Sequence, residues 1–273
     1  MNKKSIITCY LAALAAIGTA RAQQPADMAE VSFPFPDIPA VLQEPQTRLA
    51  YLLEHFWSRY AFADSTQTNR IVGEQGFADY VNLMQHADSA TCALSAAVFV
   101  DSIAKEAGRR RFFEELTVHY LGNPQSPLRN DIVYAHLLRA LPPTPQRTFL
   151  LHQIEMNQVG TVANDLPVTH DDGTTGRLSD IASPLTLLIF FDPACEHCQE
   201  LMPQLTARSR QLSLSFPLQV VWVNVELTPE ANRSYYLPAL PSLYLLDHKK
   251  TVLVKDGSID AVEQMLQSAS TLF

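Results

Sequence analysis

The sequence predicts two parts of different class, an all-α helical domain followed by an α/β domain. Three observations carry this reading. From Val41 to Gln158 apolar residues recur at three- and four-residue steps almost throughout, the period of a helix with one buried face. After Gln158 the pattern becomes short continuous apolar runs, Leu185 to Phe191 and Leu218 to Val225, suited to strands buried on both faces. The second part then runs strand, helix, strand, connection, hairpin and helix, an order that needs an α/β layer arrangement.

The first 22 residues read as a targeting signal. Lys3 and Lys4 form a basic start, Ile6 to Ile17 an apolar stretch, and Ala20-Arg21-Ala22 a small-x-small cleavage site. Cys9 falls within the segment expected to be discarded. No later segment approaches the roughly 20 apolar residues that a membrane helix needs, so the mature chain is expected to be exported without a transmembrane segment. Without residues 1–22 the chain keeps 17 basic against 28 acidic residues, a net charge of about −11. Nucleic acid is excluded as a partner, because phosphate contacts need clustered Lys and Arg. The one basic run, Arg109-Arg110-Arg111, is followed at once by Glu114 and Glu115 and reads as a solvated helix face.

The helical domain is expected over residues 23–158. It opens on Phe33-Pro34-Phe35-Pro36-Asp37-Ile38-Pro39, an extended segment that packs along the domain. Leu49, Leu52, Leu53, Phe56, Trp57 and Tyr60 share one helix face, and Phe77, Tyr80, Val81 and Met84 repeat the pattern. Further helices are expected at 89–106, 110–121, 130–141 and 147–157. Pro142-Pro143-Thr144-Pro145 separates the last two, since proline cannot donate within a helix and restricts the residue before it.

The α/β domain is expected over 159–273. Val159-Gly160-Thr161 opens a β-like region and Asp171-Asp172-Gly173 signals a turn. Between the two buried strands a helix runs from Cys195 to about Leu212. Ser242 to Leu246 and Thr251 to Lys255 form a hairpin around Asp247-His248-Lys249-Lys250, and Ile259 to Gln267 a closing helix.

The residues that carry chemistry are Cys195 and Cys198 in the stretch FFDPACEHCQELMP. The pair can be a redox couple, half a zinc site or a structural staple. A closed zinc site needs four ligands, and the chain has no second cysteine pair; His170 and His197 could join only through the fold. A staple across so short a loop constrains little of the unfolded chain. Redox chemistry suits the spacing best. The thiolate is the nucleophile in disulfide exchange, and a helix N-terminus at Cys195 favours the anion. Cys198 lies one turn along the same helix, in position to attack a mixed disulfide on Cys195. Between them, His197 as a donor would stabilise the thiolate and Glu196 would oppose it, so both are redox-tuning candidates. Cys92 reads as a buried helical cysteine. His55, His86, His119, His136 and His152 lie on helical patterns without a catalytic grouping.

Several features in register with the cysteine pair resemble the thioredoxin-like superfamily. Pro203 lies five residues after Cys198, where such proteins kink the active-site helix, and the path from Asn224-Val225-Glu226 through Pro229 to Leu240-Pro241-Ser242 has the family's spacing. Val168 to Ile181 is similar to the extra hairpin of TlpA-like thiol–disulfide oxidoreductases. The helical half, with its FPFPDIP segment, resembles a domain of unknown function found ahead of thioredoxin domains in exported Gram-negative bacterial proteins. The resemblance implies a thioredoxin fold and a periplasmic thiol–disulfide oxidoreductase with Cys195 as nucleophile and Cys198 as resolving thiol. It further implies a cis Pro241 in a substrate-binding loop with Leu240, and no bound cofactor or metal. The implied partners are protein disulfides and a periplasmic or membrane redox partner.

Three positions depart from the family pattern. Ala194 stands where tryptophan is usual, and Ile189 stands where thioredoxin places a buried acid that helps deprotonate the second cysteine. Leu201 occupies the site of an acid common in TlpA-like chains, with Glu200 one position early. These departures leave two alternatives to a reductase: a non-catalytic peptide- or protein-binding module on a thioredoxin-like scaffold, and a disulfide isomerase.

Overall fold

The computed structural model of the chain describes residues 32–169 and 174–270. The expected signal segment, His170 and the Asp171-Asp172-Gly173 turn lie outside the described residues. The helical half contains α1 (Pro45–His55), α2 (Gln67–Met84), α3 (Ser89–Ala104), α4 (Ala107–Thr117), α5 (Asp131–Ala140) and α6 (Pro145–Glu155). Its start signals follow ordinary capping chemistry. The side chains of Thr66, Asp88, Asn130 and Thr144 accept from the first backbone N–H groups of α2, α3, α5 and α6, donors that a helix cannot satisfy internally. Proline enters α1 and α6 in the first turn, where its missing N–H costs nothing.

One core unites these helices, and it is aromatic. Phe56, Trp57, Tyr60, Phe77, Tyr80, Phe99 and Phe113 are all buried. The extended N-terminal segment inserts Phe33 against Phe56 and Trp57, at ring separations of 4.8 and 5.2 Å. Two expectations need correction. The α1 helix stops at His55, so Phe56, Trp57 and Tyr60 keep a helical spacing while lying in the turns that follow. Of the three consecutive arginines only Arg110 and Arg111 lie on a solvated face, pairing with Glu114 and Glu115. Arg109 is buried, its Nε donating to the Phe62 carbonyl at 2.7 Å, because α4 turns it under the loop after α1. Cys92 is buried in α3 as expected.

The α/β half begins with a two-stranded antiparallel hairpin, β1 (Pro167–Thr169) and β2 (Thr175–Arg177). Val159-Gly160-Thr161 forms no strand; the nearby backbone makes a single bridge, Val162 to Thr251. The main sheet contains β3 (Leu185–Phe191), β4 (Leu218–Asn224), β5 (Ser242–Asp247) and β6 (Val252–Gly257), in the order β4-β3-β5-β6. The β3–β4 pair is parallel, and β5 and β6 run antiparallel to their neighbours. The parallel pair is joined by α7 (Glu196–Ser215), and α8 (Pro229–Ser234) and α9 (Ile259–Ser270) complete the half. α8 is a short helix where the sequence indicated only a connection.

The central strand β3 is apolar on both faces because both are covered. Leu187 and Ile189 meet Leu205 of α7 and Val262 of α9, whereas Leu188 and Phe190 meet Val221, Tyr235 and Tyr244 on the other side.

Candidate functional site

The site forms at one end of the two central strands, where β3 stops and β5 starts. Phe191 closes β3, and Asp192, Pro193 and Ala194 lead directly to Cys195. β5 runs antiparallel beside β3 with Ser242 opposite Phe190. Pro241, the residue before β5, therefore lies alongside the segment that carries the cysteines. The Leu240–Pro241 peptide bond is cis, as the family resemblance implied.

Local backbone bonds shape the approach to Cys195. The Asp192 carboxylate accepts from the Ala194 N–H at 2.8 Å, and its carbonyl accepts from the Cys195 N–H at 3.2 Å. Gln199 reaches back from α7 to donate to the Pro193 carbonyl at 2.7 Å. Cys195 occupies the N-cap of α7 with its carbonyl bonded to the Gln199 N–H at 3.0 Å. No side chain caps this end, so the first-turn N–H groups of α7 have no side-chain acceptor at the N-cap.

The two cysteines differ in access. Both are free thiols; Cys195 is half-buried, whereas Cys198 is 1 % exposed. Burial pushes the Cys198 thiol up from the ordinary cysteine value. The Asp192 main chain pulls it partly back, while the Cys195 sulfur and the Asp192 charge add to the rise. An accessible thiol at a helix start and a protected thiol one turn later suit an attacking and a resolving role.

Glu196 and His197 are both exposed in the first turn of α7. Leu240 and Pro241 are half-buried, Leu240 against the core beneath the sheet. All six sequence-indicated site residues thus lie on two adjacent segments, 195–198 and 240–241. Ile189 is fully buried in the layer between β3 and α7. Among the described residues no group of three or more His, Cys, Asp and Glu side chains could hold a metal ion, and no helix is long and apolar enough to cross a membrane.

Sequence reasoning missed one part of the surroundings. Ser242 donates to Asp256 of β6 at 2.5 Å, and Asp256 pairs with Arg129 just ahead of α5 in the helical half. No local pattern signals this contact, because Arg129 and Asp256 lie 127 positions apart. Asp192 was also overlooked; its signal was an acid in a turn directly before the first cysteine.

Comparisons with known proteins agree with this architecture. Residues 13–159 match the family model described as "Domain of unknown function (DUF5106)", and residues 175–269 match the model described as "Thioredoxin". The crystal structure of a thioredoxin-like protein from Bacteroides caccae superposes with a TM-score of 0.74 at 25% sequence identity, covering 86% of this chain and 98% of that one. The C-terminal domain of a protein from Bacteroides fragilis is 31% identical, with a TM-score of 0.36 over 41% of this chain and 98% of its own. The thioredoxin domain of a thiol-disulfide oxidoreductase from Bacteroides vulgatus is 14% identical, with a TM-score of 0.35 over 41% of this chain and 97% of its own. No curated protein matches the chain.

Proposed function

The chain belongs to the family described as "Domain of unknown function (DUF5106)" and carries a thioredoxin domain behind it; from that premise we propose that it is an exported thiol–disulfide oxidoreductase working through Cys195 and Cys198. The observation that carries the reading is the pairing of an accessible cysteine at the N-cap of α7 with a buried one a turn later, beside a cis Leu240–Pro241 bond.

In the reducing direction the Cys195 thiolate attacks one sulfur of a protein disulfide. The substrate S–S bond breaks, an intermolecular Cys195 disulfide forms, and the first substrate thiol leaves after taking a proton. Cys198 then loses its proton and attacks Cys195. The second substrate thiol is released, and Cys195 and Cys198 are left joined, having passed two electrons to the substrate. A periplasmic or membrane-bound dithiol partner restores the pair by the same exchange, so no bound cofactor is required. Leu240 and Pro241 offer the surface along which an extended peptide lies, while Glu196 and His197, exposed beside the attacking sulfur, tune it with opposite influence. The apolar leader at residues 1–22 is the basis for export to the periplasm.

Trapping tests the reading. Cys198→Ala removes the resolving thiol, so intermolecular disulfides through Cys195 should accumulate, and dithiothreitol-driven reduction of insulin should cease. A wild-type chain that reduces no insulin, together with a Cys198→Ala chain that traps nothing in cells, would leave a binding scaffold as the better account.

A further inference from the structure

The segment that carries Pro241 is held at both ends by the helical half. Upstream, Tyr236 leaves the α/β half and joins the aromatic core of the helices. Its ring lies under Arg129 and Lys255, with cation-to-ring distances of 5.9 and 5.4 Å, and its carbonyl accepts from the Tyr244 hydroxyl at 2.8 Å. Downstream, Ser242 is tied to Asp256, and Asp256 to Arg129.

Strand β6 is shaped for this contact. Successive side chains of a regular strand point to opposite faces, yet Lys255 and Asp256 both reach the helical half. Lys255 pairs with Asp131 at 3.1 Å and donates to the Ile154 carbonyl, while Asp256 pairs with Arg129. A register shift in the β5–β6 ladder allows it: Leu243 faces Gly257 but Leu245 faces Val254, which leaves an extra residue on β6. Asp256 takes a positive φ of 45° there. A bulge of this kind re-aims side chains. The β6 side of the cluster is closed to solvent, with the side chains of Asp256 and Lys255 6% and 5% exposed, and their partners Arg129 and Asp131 are 16% and 15% exposed.

We propose that the helical domain is a positioning element for the Leu240–Pro241 loop, fixing it through Arg129 at one end and the seat of Tyr236 at the other so that a peptide disulfide can lie against it beside Cys195. The proposal rests on the thiol–disulfide reading above and assigns the helical half its part in it. Arg129 and Asp256 touch neither substrate nor the reacting sulfurs; they act through the loop. A small disulfide that needs no loop reacts without them.

The test uses the full chain with dithiothreitol as reductant, comparing insulin with bis(2-hydroxyethyl) disulfide. Removing one charge alone would strand the other in a largely buried site, so the main variant is the double change Arg129→Met with Asp256→Asn. It should raise KM for insulin about tenfold with kcat unchanged, and leave the small disulfide within about twofold. Amide exchange at Leu240, Ser242 and Leu243 should quicken by about tenfold. Ser242→Ala, which cuts only the link to Asp256, should move both readouts the same way by a smaller factor and serves if the double variant does not fold. Unchanged insulin KM with unchanged exchange in a folded variant overturns the proposal, as does an equal loss on both disulfides. If the wild-type chain reduces neither disulfide, the redox reading falls, and amide exchange alone still decides whether the helical half holds the loop.

Discussion

The two halves of the molecule solve the problem of burial differently. The helical half has one continuous core of rings: Phe99 alone lies 4.9 Å from Trp57, 5.4 Å from Tyr80 and 5.3 Å from Phe113. The α/β half has two cores, split by its own sheet, and the α7–α9 side is built on aliphatic side chains such as Leu187, Leu205 and Leu266. A continuous core transmits a change at any point to all its walls, because packed interiors are close to crystal density. A partitioned core confines it. The cysteine pair lies on the partitioned half, at the end of its two central strands, while the continuous half touches the segment around Pro241 through Tyr236 and Arg129.

The largest effect should come from breaking the continuous core. Phe99→Ala removes a fully enclosed ring and should cost about 3–5 kcal/mol, against about 2–5 kcal/mol for Leu266→Ala on the α9 side of the sheet. Their reach should differ more than their size. Hydrogen exchange in Phe99→Ala should lose protection across α1 to α4, whereas Leu266→Ala should lose it only in α7, α9 and the strands they cover. Equal spread from both sites would break the comparison.

A smaller effect sharpens how the N-terminal segment belongs to that core. Gly76 lies in α2, and a Cβ there would overlap the Phe33 ring. In an open helix Gly→Ala gains about 1 kcal/mol. Here the ring is hemmed in by Phe56, Trp57 and Tyr60, so Gly76→Ala should instead lose about 1–3 kcal/mol by overpacking. Urea denaturation gives the sign directly. A stabilised variant would mean that Phe33 moves aside at no cost and that residues 33–39 lie on the core without closing it.

The same division governs what the sequence made legible. Strand β3 and the approximate bounds of α3 and α5 follow from periodicity, because burial on a regular element repeats at the element's own period. The cysteine pair was legible as a spacing, and Pro241 through the family resemblance. What escaped were places where burial and regular structure part company. Phe56, Trp57 and Tyr60 continue the helical spacing of α1 into turns, since the core needs their rings whatever the backbone does. Arg109 was hidden among solvated arginines by an identical neighbourhood in sequence. The Arg129–Asp256 contact depends on the register shift in β6, a long-range feature with no local composition signal.

The smallest effect concerns the step for which the family's usual acid is missing. With Ile189 at that position, no buried carboxylate on β3 lies beneath Cys198. Burial raises the thiol pKa, and the Cys195 sulfur and then the Asp192 charge push it further the same way. Once Cys195 is held in a mixed disulfide, Asp192 is the charge that remains. A raised thiol pKa leaves less thiolate at neutral pH, so release of a trapped Cys195 mixed disulfide should quicken as pH rises. The gain should be about tenfold per unit from pH 7 upward, with no plateau before the ordinary cysteine value of 9.0. Asp192→Asn removes the opposing charge, and the amide oxygen can still accept from the Ala194 N–H, so the turn before Cys195 is kept. Single-turnover release at pH 7 should then be faster by about twofold, since less charge opposes the thiolate. An Asp192→Asn chain that is slower, with its pH profile displaced upward, would make Asp192 the proton acceptor for Cys198 and not merely a neighbouring charge. The two outcomes have opposite signs because a carboxylate that only repels the thiolate slows its formation, while one that takes the proton speeds it.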